Sequence, residues 1–346
     1  MGNRITLDDI ARKVNVSKAV VSRALRDKYG VNPETRSRIL IAAVELGYDF
    51  KNIGRSAATK TPHKGDRICV VVSRTDYMKD DFYGRIIYGI ENVLHENQEE
   101  FYLSILENEA DQEVAVNLRK IRAKGVIVVG LVNYQNIAAI LSSGVPVVLV
   151  DTLYTDMRVD RISANNFMGG LEAAEHLIQC GHRQLAFVGD IHFSTNFNDR
   201  YRGFCKALED HRELGITDIS VTGAYTDPIL LIDLEGLYRL IAGTVEPVGI
   251  VCANDNIAFE IYRIAEEMGR SIPQDISVIG FCNTEKCGWA SPKLTSVEIP
   301  KLELGKQAVW MMMDRIARKD TPAQLRQLDT TLEKRDSVAD IPIKDR

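Results

Sequence analysis

Residues 6–25 carry a spacing that few chains meet by accident: T-x-x-x-I-A-x-x-x-x-V-S-x-x-x-V-S-R-x-L. Thr6 can cap a helix whose third position is Asp9, a shorter stand-in for the glutamate of a capping box. Leu7, Ile10, Ala11 and Val14 then follow at helical spacing. Asn15-Val16 interrupts the pattern. Ser17 can cap a second helix through Leu25, with Val21, Ala24 and Leu25 on its apolar face. Asn32-Pro33 opens a third helix, because a proline at the first helical position gives up no N–H that would be used. Two short helices joined by a three- or four-residue turn and braced by a third make a helix-turn-helix. A generic three-helix bundle is the alternative, and the length of the spacing weighs against it.

In a helix-turn-helix the second helix enters the major groove with its N-terminal residues on base edges. Those residues are Ser17, Lys18, Ala19, Val20, Ser22 and Arg23. Serines can bond phosphate or base, Lys18 and Arg23 can reach phosphate or guanine, and Ala19 and Val20 can touch a thymine methyl. Thr6, Arg26 and Asn32 complete the candidate set in the head. Charge points the same way. The whole chain of 346 residues has a net charge of −5, which argues against a nonspecific polyanion binder. Residues 1–60, however, hold twelve Lys and Arg against six Asp and Glu, a net of +6 that leaves −11 for the remainder. A small basic head on a large acidic body suggests that only the head meets a polyanion.

Residues 5–25, ITLDDIARKVNVSKAVVSRAL, and 32–48, NPETRSRILIAAVELGY, resemble the lactose-repressor/galactose-repressor family of bacterial transcription regulators. The family's recognition helix usually reads S-K-A-T-V-S-R-A-L-N. Here Val20 stands for the Thr and Arg26 for the Asn, which removes one hydroxyl contact. Residues 48–60, YDFKNIGRSAATK, occupy the position of the family's hinge, a short helix that forms on DNA and wedges a leucine into the minor groove. Arg55 and Ser56 match that pattern, but Ala57 replaces the leucine and Gly54 replaces an alanine. Gly54 weakens such a helix by about 1 kcal/mol. One methyl at Ala57 is a poor wedge between base steps, so weaker kinking is expected.

Beyond Thr61-Pro62, apolar runs of strand length recur: 67–73, 101–106, 126–129, 147–150, 185–188, 219–224, 249–252 and 276–281. Helical patterns at 82–97, 167–180 and 254–268 lie between them. Such alternation predicts parallel sheets covered by helices on both faces. About 280 residues is long for one sheet, so two lobes with a cleft are expected. The likeness continues through PVVLVDT (146–152), AAEHLIQCGHRQLAFVGD (173–190), RYRGFCKAL (200–208), VCANDNIAFE (251–260), DISVIGF (275–281) and LTSVEIP (294–300). It implies a body like the periplasmic sugar-binding proteins. The expected division is a DNA-binding domain at 1–48, a hinge at 49–65 and an effector-binding and dimerisation domain at 66–340. Within the last, lobe 1 spans 66–162 and 293–325, and lobe 2 spans 163–292 and 326–340.

The resemblance places an effector between the lobes, against Asp81, Phe82, Tyr83, Asp151, Asn196, Arg200, Tyr225, Asn254 and the segment Gly280–Asn283, which includes Cys282. Sugar sites combine aromatic faces with planar polar groups, because a sugar has apolar faces and a hydroxyl rim. Arg200 offers a rigid fork for two adjacent oxygens, and Tyr225 a stacking face. Asn254 is expected to face the ligand while Asp255 caps the following helix. Cys282 stands where the family usually has Asp, and Ile299 where it often has Gln or Glu. Both changes remove hydroxyl acceptors, which suggests an effector other than a plain hexose, such as an amino sugar facing Asp81.

Other chemistries find little footing. His176, Cys180 and His182 have metal-like spacing but no fourth ligand, and no metal or cofactor is expected. There is no G-x-G-x-x-G after the first strand, no G-x-x-x-x-G-K-[ST] and no G-x-S-x-G, so no catalytic residues are assigned. The six cysteines form no C-x-x-C and read as reduced thiols. No run of about 18 apolar residues occurs, and the start has no apolar signal core, so a cytoplasmic location is expected. A secreted solute-binding protein would share the two-lobed body, but it would need an export signal and would lack the basic head. The reading is therefore a repressor that binds a near-palindromic operator as a homodimer, with no membrane partner.

Overall fold

In the computed structural model the described residues are 5–25, 31–32, 35, 38–39, 42–43, 46, 48, 67–79, 81–107, 114–152, 154, 157–222, 233–244, 247–318 and 320–342. The chain separates into two compact units, Met1–Lys64 and Gly65–Arg346.

In the first unit, helices Leu7–Val14 and Lys18–Leu25 form as their spacing dictates. The Asp9 carboxylate accepts from both the N–H (2.8 Å) and the hydroxyl (2.7 Å) of Thr6. Asn15, at φ 56°, ends the first helix in the left-handed region that asparagine tolerates. The Ser17 hydroxyl accepts from Val20 N–H at 3.3 Å, and the Asn32 side chain accepts from Thr35 N–H at 2.7 Å. Thr35, Arg38, Ile39, Ala42 and Ala43 are helical. Ile10, Val21, Ile39 and Ala43 have no exposed surface and form one small core.

The second unit holds two six-stranded sheets. The first is built from β1 (Arg67–Ser73), β2 (Phe101–Leu106), β3 (Ala123–Val129), β4 (Val147–Val150), β5 (Asp160–Ala164) and β11 (Leu325–Leu328), in the order β11-β5-β4-β3-β1-β2. The second is built from β6 (Gln184–Val188), β7 (Thr217–Asp218), β8 (Val248–Cys252), β9 (Ile276–Cys282), β10 (Thr295–Glu298) and β12 (Thr331–Glu333), in the order β12-β10-β9-β8-β6-β7. All pairings between these strands are parallel except β10 with β12. Central strands such as β4 and β8 are buried at every position, as helices on both faces require.

The chain passes between the sheets three times, after β5, after β10 and after β11. This corrects the lobe boundaries read from the sequence. Residues 295–298 belong to lobe 2, because β10 pairs with β9, and residues 325–328 belong to lobe 1, because β11 pairs with β5. The run at 219–224 is also not a strand as such. β7 is Thr217–Asp218, and Val221 only bridges Val188, while residues 223–224 lie outside the described set.

One close helix crossing marks each lobe. Helices Asp81–Glu96 and Lys301–Ala317 meet where a Cβ at Gly89 or Gly305 would overlap the backbone of Leu302 or Ile86. Helices Asn166–Gln179 and Thr195–Asp210 meet where a Cβ at Gly170 or Gly203 would overlap the carbonyl of Arg200 or of Phe167. Only glycine permits this approach. In lobe 2 it seats Asn196 and Arg200 against the strand ends.

Candidate nucleic-acid and effector sites

On the helix Lys18–Leu25 the buried residues are Val21, Ala24 and Leu25. Ser17, Lys18, Ala19 and Arg23 are exposed, while Val20 and Ser22 are partly so. The polar side chains named from the sequence thus share the face turned away from the core. Lys18 Nζ rests on Asp8 at 2.7 Å, an exposed pair that a phosphate can replace at little cost. Thr6 and Asn32 are occupied as caps. Hydrogen bonds from Thr6 hold the Asp9 carboxyl below its ordinary value. Arg26, Arg55, Ser56 and Ala57 lie outside the described residues.

In the body, a chain of side chains runs between the lobes at the carboxyl ends of the strands, where ligands bind on parallel sheets. Tyr83 donates to one oxygen of Asp151 at 3.2 Å, and Asn196 donates to the other at 2.8 Å. Asn166 donates to Asn196 at 3.1 Å and accepts from Arg200 Nε at 2.8 Å. Arg200 also bonds the carbonyl of Ala253, and its guanidinium lies 3.8 Å from the centre of the Phe281 ring. It is 3 % exposed, so it is a buried positioning fork and not a surface ion-pair partner. Phe82 packs edge-on against Tyr83 and lies 5.9 Å from Lys301 Nζ.

Burial pushes the Asp151 carboxyl up, while Arg200 and the donated hydrogen bonds from Tyr83 and Asn196 pull it back. The Tyr83 phenol is raised well above its ordinary range by burial and by the Asp151 and Asp76 carboxylates. Burial pushes the Cys282 thiol up to about 12. Asp151 (φ 54°), Cys282 (φ 101°) and Asn283 (φ 46°) all adopt left-handed backbone at strand ends. A cysteine there is strained by about 1–3 kcal/mol, a cost that persists where the surroundings fix the geometry.

Of the effector-facing residues read from the sequence, Phe82, Tyr83, Asp151, Asn196, Arg200 and Cys282 are brought together. The side chain of Asp81 and all of Tyr225 lie outside the described set. Neither Asn254 nor Asp255 takes its expected role. Asn254 is the cap, accepting from Ile257 N–H at 2.9 Å, because its extended backbone (φ −154°, ψ 174°) aims the side chain at the helix start. Asp255 is buried and accepts from Ser296 Oγ at 2.6 Å and Thr284 N–H at 2.7 Å, which ties β10 to the loop after β9. Sequence reasoning missed Asn166, which joins Asn196 to Arg200, and Asp76, whose carboxylate acts on Tyr83. Asn165 alone caps its helix, so the only signal in the sequence for Asn166 was a second asparagine that the cap does not need.

A model of the lacI family of bacterial regulatory proteins matches residues 6–49, and a periplasmic binding protein-like domain matches residues 174–338. The head is thus similar to the lacI family of bacterial regulatory proteins, and the body to the periplasmic binding proteins. The transcriptional repressor PurR of Pectobacterium atrosepticum is 29 % identical over 98 % of each chain. A LacI family transcriptional regulator from Enterococcus faecium, solved with bound ribose, is 26 % identical with a TM-score of 0.63, covering 79 % of this chain and 100 % of that one. The lac repressor dimer bound to operator shares the fold, with a TM-score of 0.65 at 22 % identity, covering 97 % of this chain and 100 % of the other. Among the described residues, no helix is long and apolar enough to cross a membrane.

Proposed function

We propose that this chain is a member of the LacI family, a sequence-specific DNA-binding transcription repressor controlled by a small-molecule effector, a sugar or sugar derivative, held between the two lobes. The observation that carries the reading is the pairing of an outward-facing Ser17–Arg23 surface with a buried Tyr83–Asp151–Asn196–Asn166–Arg200 network that joins the lobes. Ser17, Lys18, Ala19, Val20, Ser22 and Arg23 read the groove, with Thr6, Arg26 and Asn32 at its edges and Arg55, Ser56 and Ala57 at the centre of the operator. The name of the repressor PurR supports the repressor reading, and the operator-bound lac repressor dimer supports a homodimer on operator DNA; the proposed operator is near-palindromic and the proposed location the cytoplasm. The ribose-bound relative supports a polyhydroxylated effector.

Regulation follows by linkage. An effector that binds one arrangement of the lobes better than the other shifts the population of lobes, and with it the fit of two heads to two half-sites. Asp151 and Arg200 are already bonded to neutral partners within the chain, so an effector exchanges hydrogen bonds with Asn196 and Asn166 rather than filling vacant ones. No catalytic step is assigned. A gel shift on the region upstream of the protein's own gene tests the reading. Affinity falls steeply with salt as phosphates release counterions, and Lys18→Ala with Arg23→Ala abolishes the shift. A double variant that binds as tightly as the parent refutes it.

A further inference from the structure

The start of the helix Asp81–Glu96 is linked to the other lobe at two points, indirectly through Tyr83 and directly through Arg85. Tyr83 reaches Asp151, whose second oxygen holds Asn196 of lobe 2. Arg85, two positions on and so about 200° around the helix, pairs with Glu285 at 2.8 Å. These partners lie 200 positions apart in sequence. Arg85 sits on lobe 1, because its helix packs on β3 and against the helix Lys301–Ala317. Glu285 opens the short turn Glu285–Gly288 after β9 of lobe 2, which is pinned by buried Cys287 and by the bond from Thr284 N–H to Asp255. Both ends being anchored, the pair can persist only while the lobes stay close.

We propose that Arg85 and Glu285 form a latch at the rim of the cleft that holds the lobes closed and sets how often the effector can enter or leave. The proposal rests on the reading of the cleft as the effector site and adds its regulation. The inner contact, Asp151 with Asn196, is the one an effector must displace. The outer contact lies clear of it and keeps the lobes in register during the exchange. Both side chains are about 40 % exposed (39 % and 42 %), so salt screens the pair and its closing bias is modest.

Cys282, already partly exposed like Cys205, is a reporter of further opening. It lies at the end of β9, under the field of Asp151 from one lobe and Arg200 from the other. Alkylation of the full-length protein with iodoacetamide, resolved by peptide and with no ligand added, reads its access. Arg85→Gln and Glu285→Gln each speed Cys282 modification about 1.5- to 5-fold. Partly exposed Cys205 keeps its rate, and buried Cys252 stays unreactive. The exchanged pair, Arg85→Glu with Glu285→Arg, returns to the parent rate. Raising salt to about 1 M speeds the parent but not the single variants. Unchanged Cys282 rates in both single variants, or an exchanged pair as fast as either single, overturn the latch. If one variant exposes Cys252 and is therefore unfolding, the other variant and the salt series decide. A panel of ribose, glucosamine and adenosine then tests protection of Cys282. Opening in the variants without protection by any of the three retains the latch and counts against the effector reading.

Discussion

Gly170→Ala places a methyl where the carbonyl of Arg200 now lies, on the crossing of helices Asn166–Gln179 and Thr195–Asp210. The obstacle is backbone, not the end of a flexible side chain, so the two helices must separate. Overpacking of this kind costs about 1–3 kcal/mol, and the upper end applies because Gly203 meets the carbonyl of Phe167 at the same crossing and leaves no second direction of relief. At about 2–4 °C per kcal/mol for a domain of this size, Tm falls by about 6–12 °C. Gly84→Ala is the control. It lies in the helix Asp81–Glu96 with nothing within 4 Å of its added methyl. Replacing a helical glycine there stabilises by about 1 kcal/mol, raising Tm by about 2–4 °C. The displaced helix carries Asn196 and Arg200, so Gly170→Ala also weakens effector binding, read as the loss of ligand-induced thermal shift. Two variants that move Tm in the same direction would refute the reasoning.

Arg200→Met removes the donor to Asn166 and to the Ala253 carbonyl. Leaving those buried acceptors unpaired lowers unfolding stability by about 2–4 kcal/mol in urea, and ligand-induced stabilisation disappears. Asp151 carries a raised carboxyl, so it favours the folded state more as pH falls through its folded value, the reverse of the usual carboxylate. Asp151→Asn flattens that slope in pH-dependent thermal melts, and an unchanged slope would count against it. Asp9 is depressed, so the stability it lends the head is present above its ordinary value of 3.8 and lost as pH falls through the lower folded value, an effect that Asp9→Asn removes from the acid limb of helix signal. Ala57→Leu increases operator bending in a circular-permutation assay, and a parent that already bends DNA as strongly would refute the weak-wedge reading.

The sequence announced the elements whose cause is local. The caps at Thr6, Ser17 and Asn32 and the runs that became β1, β2 and β4 needed no tertiary information. The crossing strands were harder to place. β10 and β11 are four residues each, and only pairing with β9 or β5 decides which lobe owns them. At the candidate site, residue types were legible but roles were not. Asn254 and Asp255 are both competent caps, and the choice between them was made by Ser296 and Thr284, distant in sequence and adjacent only once β9 and β10 pair. Asn166 escaped for the same reason, since its partners Asn196 and Arg200 lie 30 and 34 positions away.

Linkage between cleft and head is tested most directly by measuring operator affinity with and without the compound that gives the largest thermal shift. The full-length protein and a fluorescent operator duplex at fixed salt suffice. The compound should change the operator Kd about 5- to 150-fold in one direction, and operator should change the Kd of the compound by the same factor. A compound that binds the body and leaves operator affinity unchanged, or a chain that binds no duplex at any salt, would contradict a head governed by the lobes.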